Sequence, residues 1–345
     1  MATPRPVTRL VTPQPVLEGA GVKLKRSIAT RELDAVDPFL LFDDFSSTDP
    51  ADHIRGFPWH PHRGIETVTY VLSGEVRHRD SLGNEGTIGA DQVQWMTAGS
   101  GIMHEEMPQE TPGGLVGFQL WVNLPAKEKM STPRYRDIRA EEMARLSPAE
   151  GVALRVIAGS FGDTQGAVTE MAADPTYFDL DLAPEASVVL PLSAEKNACA
   201  YLFRGTAVFG PGANASDGTE ASGGATGHGG GEGSGGETGH GGGEGSDGET
   251  GPDSGDPAPA AHGGLRGDSI APIGSPHLVV FGEGDQVWIR AGAEGARLLL
   301  MAGKPLNEPI ARYGPFVMNT REEIEEALHD LRNDNFIREK PAGIE

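Results

Sequence analysis

Short stretches of alternating apolar and polar positions run through most of this chain, and a period of two is the signature of half-buried strands. Glu66 to Leu72 (Glu-Thr-Val-Thr-Tyr-Val-Leu), Val93 to Met96, Gly117 to Val122 and Val152 to Ala158 carry the pattern. So do Ser187 to Leu192, Ala200 to Phe203, Leu278 to Phe281, Gln286 to Ile289 and Ala296 to Met301, with Gly, Asp or Asn between them. Helical periodicity is confined to two places. Ile138 to Leu146 predicts one short helix, and Arg321 to Arg332 predicts a second. In the second, Ile324, Ala327, Leu328 and Leu331 share a face, and Thr320 with Glu323 forms a capping-box pattern.

The strands fall into two comparable sets, one before about Pro125 and one after about Val152. That division predicts an all-β chain of two small barrels in tandem rather than one open sheet. The expected boundaries are a first barrel over 1–136, a linker over 137–151, a second barrel over 152–320, and a helix and tail over 321–345.

Composition interrupts this picture at one place. Pro211 to Leu265 holds 21 glycines, nine acidic residues and no Lys or Arg. Thr226 to Glu237 is repeated as Thr238 to Glu249 with one change, Asp247 for glycine. With almost no large apolar side chains the segment lacks the buried surface that offsets ordering entropy, so a disordered loop inserted in the second barrel is expected. His228 and His240 lie in the repeat and read as solvated linker histidines, because glycine neighbours pre-organise nothing.

The formal net charge is −22, nine units of it from the loop, which leaves −13 on the remainder. Such a surface repels phosphate backbones and argues against direct DNA or RNA binding. No run of 18 apolar residues suggests a membrane span, the N-terminus lacks the apolar core of a signal peptide, and the single cysteine, Cys199, excludes an intramolecular disulfide framework. A cytoplasmic, monomeric protein is expected.

The candidate chemistry sits in two words: Trp59-His60-Pro61-His62-Arg63-Gly64-Ile65-Glu66, and Gly99-Ser100-Gly101-Ile102-Met103-His104-Glu105-Glu106. On a strand, residues two apart project to one face, so His60 with His62, and His104 with Glu106, converge in pairs, while Glu105 points away. Pro61 suits an edge strand. Three imidazoles with carboxylates nearby are the donor set of a mononuclear metal centre. Parity also permits Glu66 to join. The remaining histidines His53, His78, His277 and His329 read as satisfied structural residues. Trp59, Trp95 and Trp121 read as core or cavity wall, and Gly99 and Gly101 as tight-turn residues. The segment Leu190 to Ala198 of the second barrel contains no histidine, so that barrel is expected to be metal-free and structural, with Phe316 and Met318 packing between domains.

These words carry a family resemblance. His60 to Tyr70 and Gln94 to His104 resemble the pirins, as do Asp37-Pro38-Phe39-Leu40, Leu120 to Pro125 and Arg312 to Thr320. The resemblance covers nearly the whole chain except the acidic loop. It implies two jelly-roll cupin barrels, with metal ligands His60, His62, His104 and Glu106 in the first, and with Glu66 orienting a histidine or lining the cavity. The implied metal is Fe(2+), and the donors also suit Ni, Mn, Cu or Zn. Two functions follow from the same resemblance. One is a quercetin 2,3-dioxygenase-type reaction on a flavonol and O2, with Glu106 or Glu66 as the catalytic carboxylate. The other is a metal- and redox-dependent interaction with a protein partner.

Overall fold

The computed structural model describes residues 2–169, 171–214 and 271–338. Its strands form two antiparallel barrels. In the first, a seven-stranded sheet runs in the order Arg134–Ile138, Gln92–Thr97, Ile65–Ser73, Val116–Asn123, Phe39–Asp44, Val22–Ile28, Gln14–Glu18. A four-stranded sheet, Phe57–His62, Ile102–Pro108, Val76–Asp80, Glu85–Ile88, supplies the other wall. The second barrel is a nine-stranded sheet built on two long strands, Asn197–Phe209 and Gln286–Gly303.

Most strands lie where the alternation predicts them. Gln286–Gly303 is the instructive difference, because the sequence pattern shows two strands there and the structure has one that changes partners. Residues 287–290 pair with 187–190, and 296–302 pair with 176–182. The chain bends between them at Gly295, beside Gly205 on the neighbouring strand, both at positive φ (+79° and +75°). A Cβ on Gly205 would stand 2.0 Å from Gly295 O, so the close crossing requires glycine.

The helix expected over Ile138 to Leu146 is not formed. Ile138 closes a strand paired to Val93 in the first barrel, Ala144–Leu146 pairs with 154–156 in the second, and only Ala140–Glu142 between them makes a 3-10 turn. Pulling both ends of nine residues into different sheets leaves no room for helical turns.

The chain termini also cross over. Val7–Val11 pairs with His277–Phe281 in the second barrel, so the expected first domain of 1–136 gives up its opening strand. The other end returns to the first barrel. Val317 packs among Leu40, Ile65, Met96, Ala98 and Ile102, while Phe316 and Met318 cluster with Ile324, Ala327 and Phe336 under the helix. That helix, α1 (Arg321–Arg332), has the predicted capping box: Thr320 Oγ1 accepts from Glu323 N, and Glu323 Oε2 accepts from Thr320 N.

A shared apolar layer joins the barrels, with Phe42, Val68, Tyr70, Trp95 and Phe118 from the first meeting Ile157, Tyr177, Tyr201 and Leu299 from the second. Some of its polar atoms are paired across it, while the Tyr177 hydroxyl and Trp95 Nε1 are buried without a partner. Tyr70 donates to Asp179 Oδ2 (2.7 Å), which also accepts from Arg297 Nη2 (2.7 Å), and Tyr201 donates to Asp44 Oδ2 (2.8 Å). Satisfied polar groups in an apolar layer fix one relative placement of its two faces.

Of the disordered loop expected over 211–265, residues 211–214 are described and lie in a 3-10 turn, and the rest, with His228 and His240, lies outside the described residues. Its flanks are described: Gly210–Asn214 forms a 3-10 turn, and Ile273–Gly274 pairs with Thr206 and Ala207, so the insert leaves and re-enters at one place. Among the described residues, no helix is long and apolar enough to cross a membrane.

Candidate metal centre

Phe57–His62 is the edge of the four-stranded sheet, which is why Pro61, lacking an N–H, is accommodated opposite Met103. In the same ladder His60 stands directly opposite His104, and His62 opposite Ile102. Cross-strand partners share a face, so pairing converts two distant sequence words into one cluster. The ring centroids lie 4.4 Å apart for His60 and His104, 4.9 Å for His60 and His62, and 5.0 Å for His62 and His104. One donor atom from each of the three histidines falls within 4.8 Å of the others.

The hydrogen bonding of these rings is incomplete. His60 Nδ1 donates to Pro58 O (2.8 Å), and its Nε2 lies 3.1 Å from His62 Nε2. His62 Nδ1 and both nitrogens of His104 are buried without a hydrogen-bond partner. Burial, reinforced by the neighbouring imidazoles, pushes the pKa of His62 and His104 well below the ordinary histidine value, so both are neutral near pH 7. Neutral, buried imidazoles that carry unpartnered nitrogens and bring one donor atom each to a common place fit a cation, which accepts lone pairs and requires deprotonated ligands.

The two carboxylates stand apart from this cluster. Glu106 follows His104 across a bulge that places it opposite Phe57. It is buried, lines the same cavity as His60 and His62, and its Oε1 accepts from Thr69 Oγ1 (2.6 Å). Glu66 belongs to the larger sheet. Its Oε1 accepts from Thr97 Oγ1 (2.8 Å), its Oε2 has no partner, and burial raises its pKa to about 7. Neither carboxylate is within the 4.8 Å group.

A cavity of about 630 Å³ opens on the histidines. Leu41, Phe45, Phe57 and Trp121 supply apolar wall, and Arg26, Asp43, Gln119 and Arg312 supply polar groups. Trp121 meets His62 edge-on at 5.1 Å. Arg26 is locked in a fork to Asp43 (2.8 and 2.7 Å), and the Arg312 guanidinium lies over the Trp121 ring at 5.1 Å and donates to Leu40 O. Sequence reasoning missed these polar groups because they come from other strands and from the C-terminal segment, with no local word to mark them.

Three smaller expectations are also resolved. Of the tryptophans, Trp121 is cavity wall and Trp95 is core, but Trp59 is 45% exposed beside Arg79. It alternates with His60, so turning the histidine inward turns the indole out. Gly99 and Gly101 are turn residues at φ +48° and +141°. Of the other histidines, His78 bonds Tyr135 and faces Asp137, and His277 bonds Gly274 O, whereas His53 is buried with neither ring nitrogen paired.

Two fused antiparallel barrels, one with clustered histidines facing a cavity, define a two-domain cupin. The chain belongs to the pirin family: the Pirin model matches residues 21–122, and the Pirin C-terminal cupin domain model matches residues 260–337. It is 39% identical over 95% of its length to a Pseudomonas aeruginosa protein named "Putative quercetin 2,3-dioxygenase", covering 97% of that protein. It is 35% identical over 96% of its length to a pirin-like protein of Caulobacter vibrioides, covering 99% of it. The crystal structure of a quercetin 2,3-dioxygenase from Acinetobacter baumannii is similar at a TM-score of 0.73 and 28% identity, over 96% of this chain and 98% of that one.

Proposed function

We propose that the first barrel holds one divalent metal ion, Fe(2+) foremost, on His60, His62, His104 and Glu106, and that the loaded protein opens the ring of a flavonol with O2. The observation that carries the reading is the gathering of three imidazoles, one donor atom of each within 4.8 Å of the others and two of the rings buried with unpartnered nitrogens, beside a cavity sized for a small aromatic molecule. Quercetin 2,3-dioxygenase is the activity named for the relatives above.

When bound, the ion would supply Lewis-acid polarisation of the substrate oxygens and one-electron chemistry toward O2. The protein does the rest. Trp121 and Phe57 exclude water and flank a planar ring, and Arg26, forked to Asp43 and paired to Glu18, holds the polar side of the cavity in place. Glu106, which accepts from Thr69 Oγ1, would complete the ligand set, and its carboxylate would take the hydroxyl proton of a flavonol. Glu66, behind Thr97, is the second carboxylate able to hold a proton near neutral pH. The test is oxygen uptake by metal-loaded protein with quercetin. Stoichiometric loss of quercetin and O2, abolished in H104A, is expected; no turnover with Fe(II), Ni(II), Cu(II) or Mn(II) would refute the catalytic reading.

A second reading, a metal-dependent interaction protein, is favoured by the charge of −13 outside the acidic insert, which suits a basic partner surface. Recovery of the same bound partners by wild type and by H60A/H62A would remove metal control from that reading.

A further inference from the structure

Between the ligand His62 and the turn glycine Gly64 stands Arg63, whose side chain is fully buried. Its guanidinium touches neither the cavity nor the histidines. Nε donates to Ser100 O (2.7 Å), Nη1 to Asp330 Oδ2 (2.9 Å) and Nη2 to Phe336 O (3.4 Å), and its carbon lies 4.5 Å from the Phe336 ring centroid. Among the described residues, the carboxylate that pairs with this charge comes from α1, 267 residues away in sequence.

The groups Arg63 joins are the two turns that deliver the histidines. Gly64 N donates to Gly99 O (2.9 Å), tying the turn after His62 to the turn before His104. The C-terminal segment clamps both. Val317 N donates to Arg63 O (3.1 Å), and a Cβ on Gly64 would stand 2.0 Å from Val317 O. A Cβ on Gly101 would stand 2.7 Å from Phe336 O. The buried ammonium of Lys129 adds a third brace, donating to Gly64 O (3.0 Å), Asn123 Oδ1 (2.7 Å) and Val317 O (2.9 Å).

We infer that α1 is a positioning element for the metal centre: its docking on Arg63 through Asp330 sets the separation of the 62–64 and 99–104 turns, and so the convergence of His62 with His104. A buried guanidinium that loses its carboxylate carries an uncompensated charge, and the turns on either side of it must shift to find water or another acceptor. Lysine does not replace it, because a compact ammonium lacks the planar fork that sets Nε on Ser100 O and Nη1 on Asp330 while the guanidinium lies against the Phe336 ring. Coupling of this kind is reciprocal: if helix docking favours metal binding, metal binding stabilises the docked helix by the same factor.

This inference rests on the metal reading above, and the tests separate the two. In wild-type full-length protein, Co(II) loading is expected to slow amide exchange in 321–332 by about 5-fold or more, within the usual range of coupling between sites, with no change in 187–191 of the second barrel. D330N is expected to weaken Co(II) binding by a similar factor and to alter its visible ligand-field bands, while D330E, which keeps the charge, restores both. E323A, which weakens the helix cap without touching Arg63, is expected to leave the bands unchanged. Wild type that takes up Co(II) with no effect on exchange in α1 overturns the inference alone, as does folded D330N with wild-type affinity and spectrum. If D330N does not fold, the wild-type exchange result decides. Wild type that takes up no Co(II) overturns the metal reading and this inference with it.

Discussion

Inside the second barrel Leu154, Leu180, Leu298 and Leu300 meet carbon to carbon, whereas the first opens on a cavity lined by His60, His62, Glu106 and Gln119. Both are curled antiparallel sheets, so strand architecture does not decide which of them holds chemistry. Parity does. A strand places every second residue inside, and exchanging leucine for histidine or glutamate at those positions turns a packed core into a polar cradle without altering the ladder outside it. The first barrel bears the cost of buried polar atoms, and the second, with the shared apolar layer between them, supplies the wall against which it is held.

The comparison can be broken from either side. The largest effect is expected from H60A/H62A, which should reduce metal uptake from about one ion per chain to below about 0.1, measured by elemental analysis after loading. The thermal stabilisation that metal gives the wild type should vanish with it. In the second barrel L298A should do the opposite, costing about 2–5 kcal/mol of stability by denaturant unfolding while leaving metal content unchanged. Loss of metal in L298A at a temperature where it is folded would show that the barrels are not so divided in labour.

Glu66 offers a pH test of the polar interior. Its folded pKa is raised from the ordinary 4.5 to about 7 by burial, so the metal-free folded state binds more protons than the unfolded chain between those values. The stability from this group is therefore fully present below pH 4.5 and is lost as pH rises through 7, a difference on the order of 3 kcal/mol. Urea midpoints of metal-free protein should fall over this range, and E66Q should flatten the slope. The smallest effect is expected from E106Q, a loss of about 10- to 100-fold in metal affinity by competition with a chelator, comparable to removing a partner that orients a ligand.

Much of this was legible in the sequence wherever the cause is local. Helix α1 was visible because its cap, Thr320 and Glu323, and its apolar face lie within one twelve-residue word. The histidines were visible because a spacing of two is a direct statement about one strand face. What was not legible depends on pairing across the chain. Ile138 to Leu146 has residues that suit a helix, and only the two sheets claiming its ends prevent one. Nothing near Val7–Val11 announces that its partner is His277–Phe281, and nothing near Arg63 announces Asp330. Trp59 is different in kind. The alternation that turned His60 inward already required the indole to face out, and reading tryptophan as core by type alone overrode it.

X-ray absorption on zinc-loaded protein tests the convergence of imidazoles from residues 60, 62 and 104 on one ion most directly. The predicted result is one zinc per chain with nitrogen scatterers at about 2.0–2.1 Å and the outer-shell pattern of three imidazole rings, a signal lost with the zinc itself in H60A/H62A. A coordination sphere of oxygens without imidazole scattering, or the same spectrum in the double variant, would contradict it.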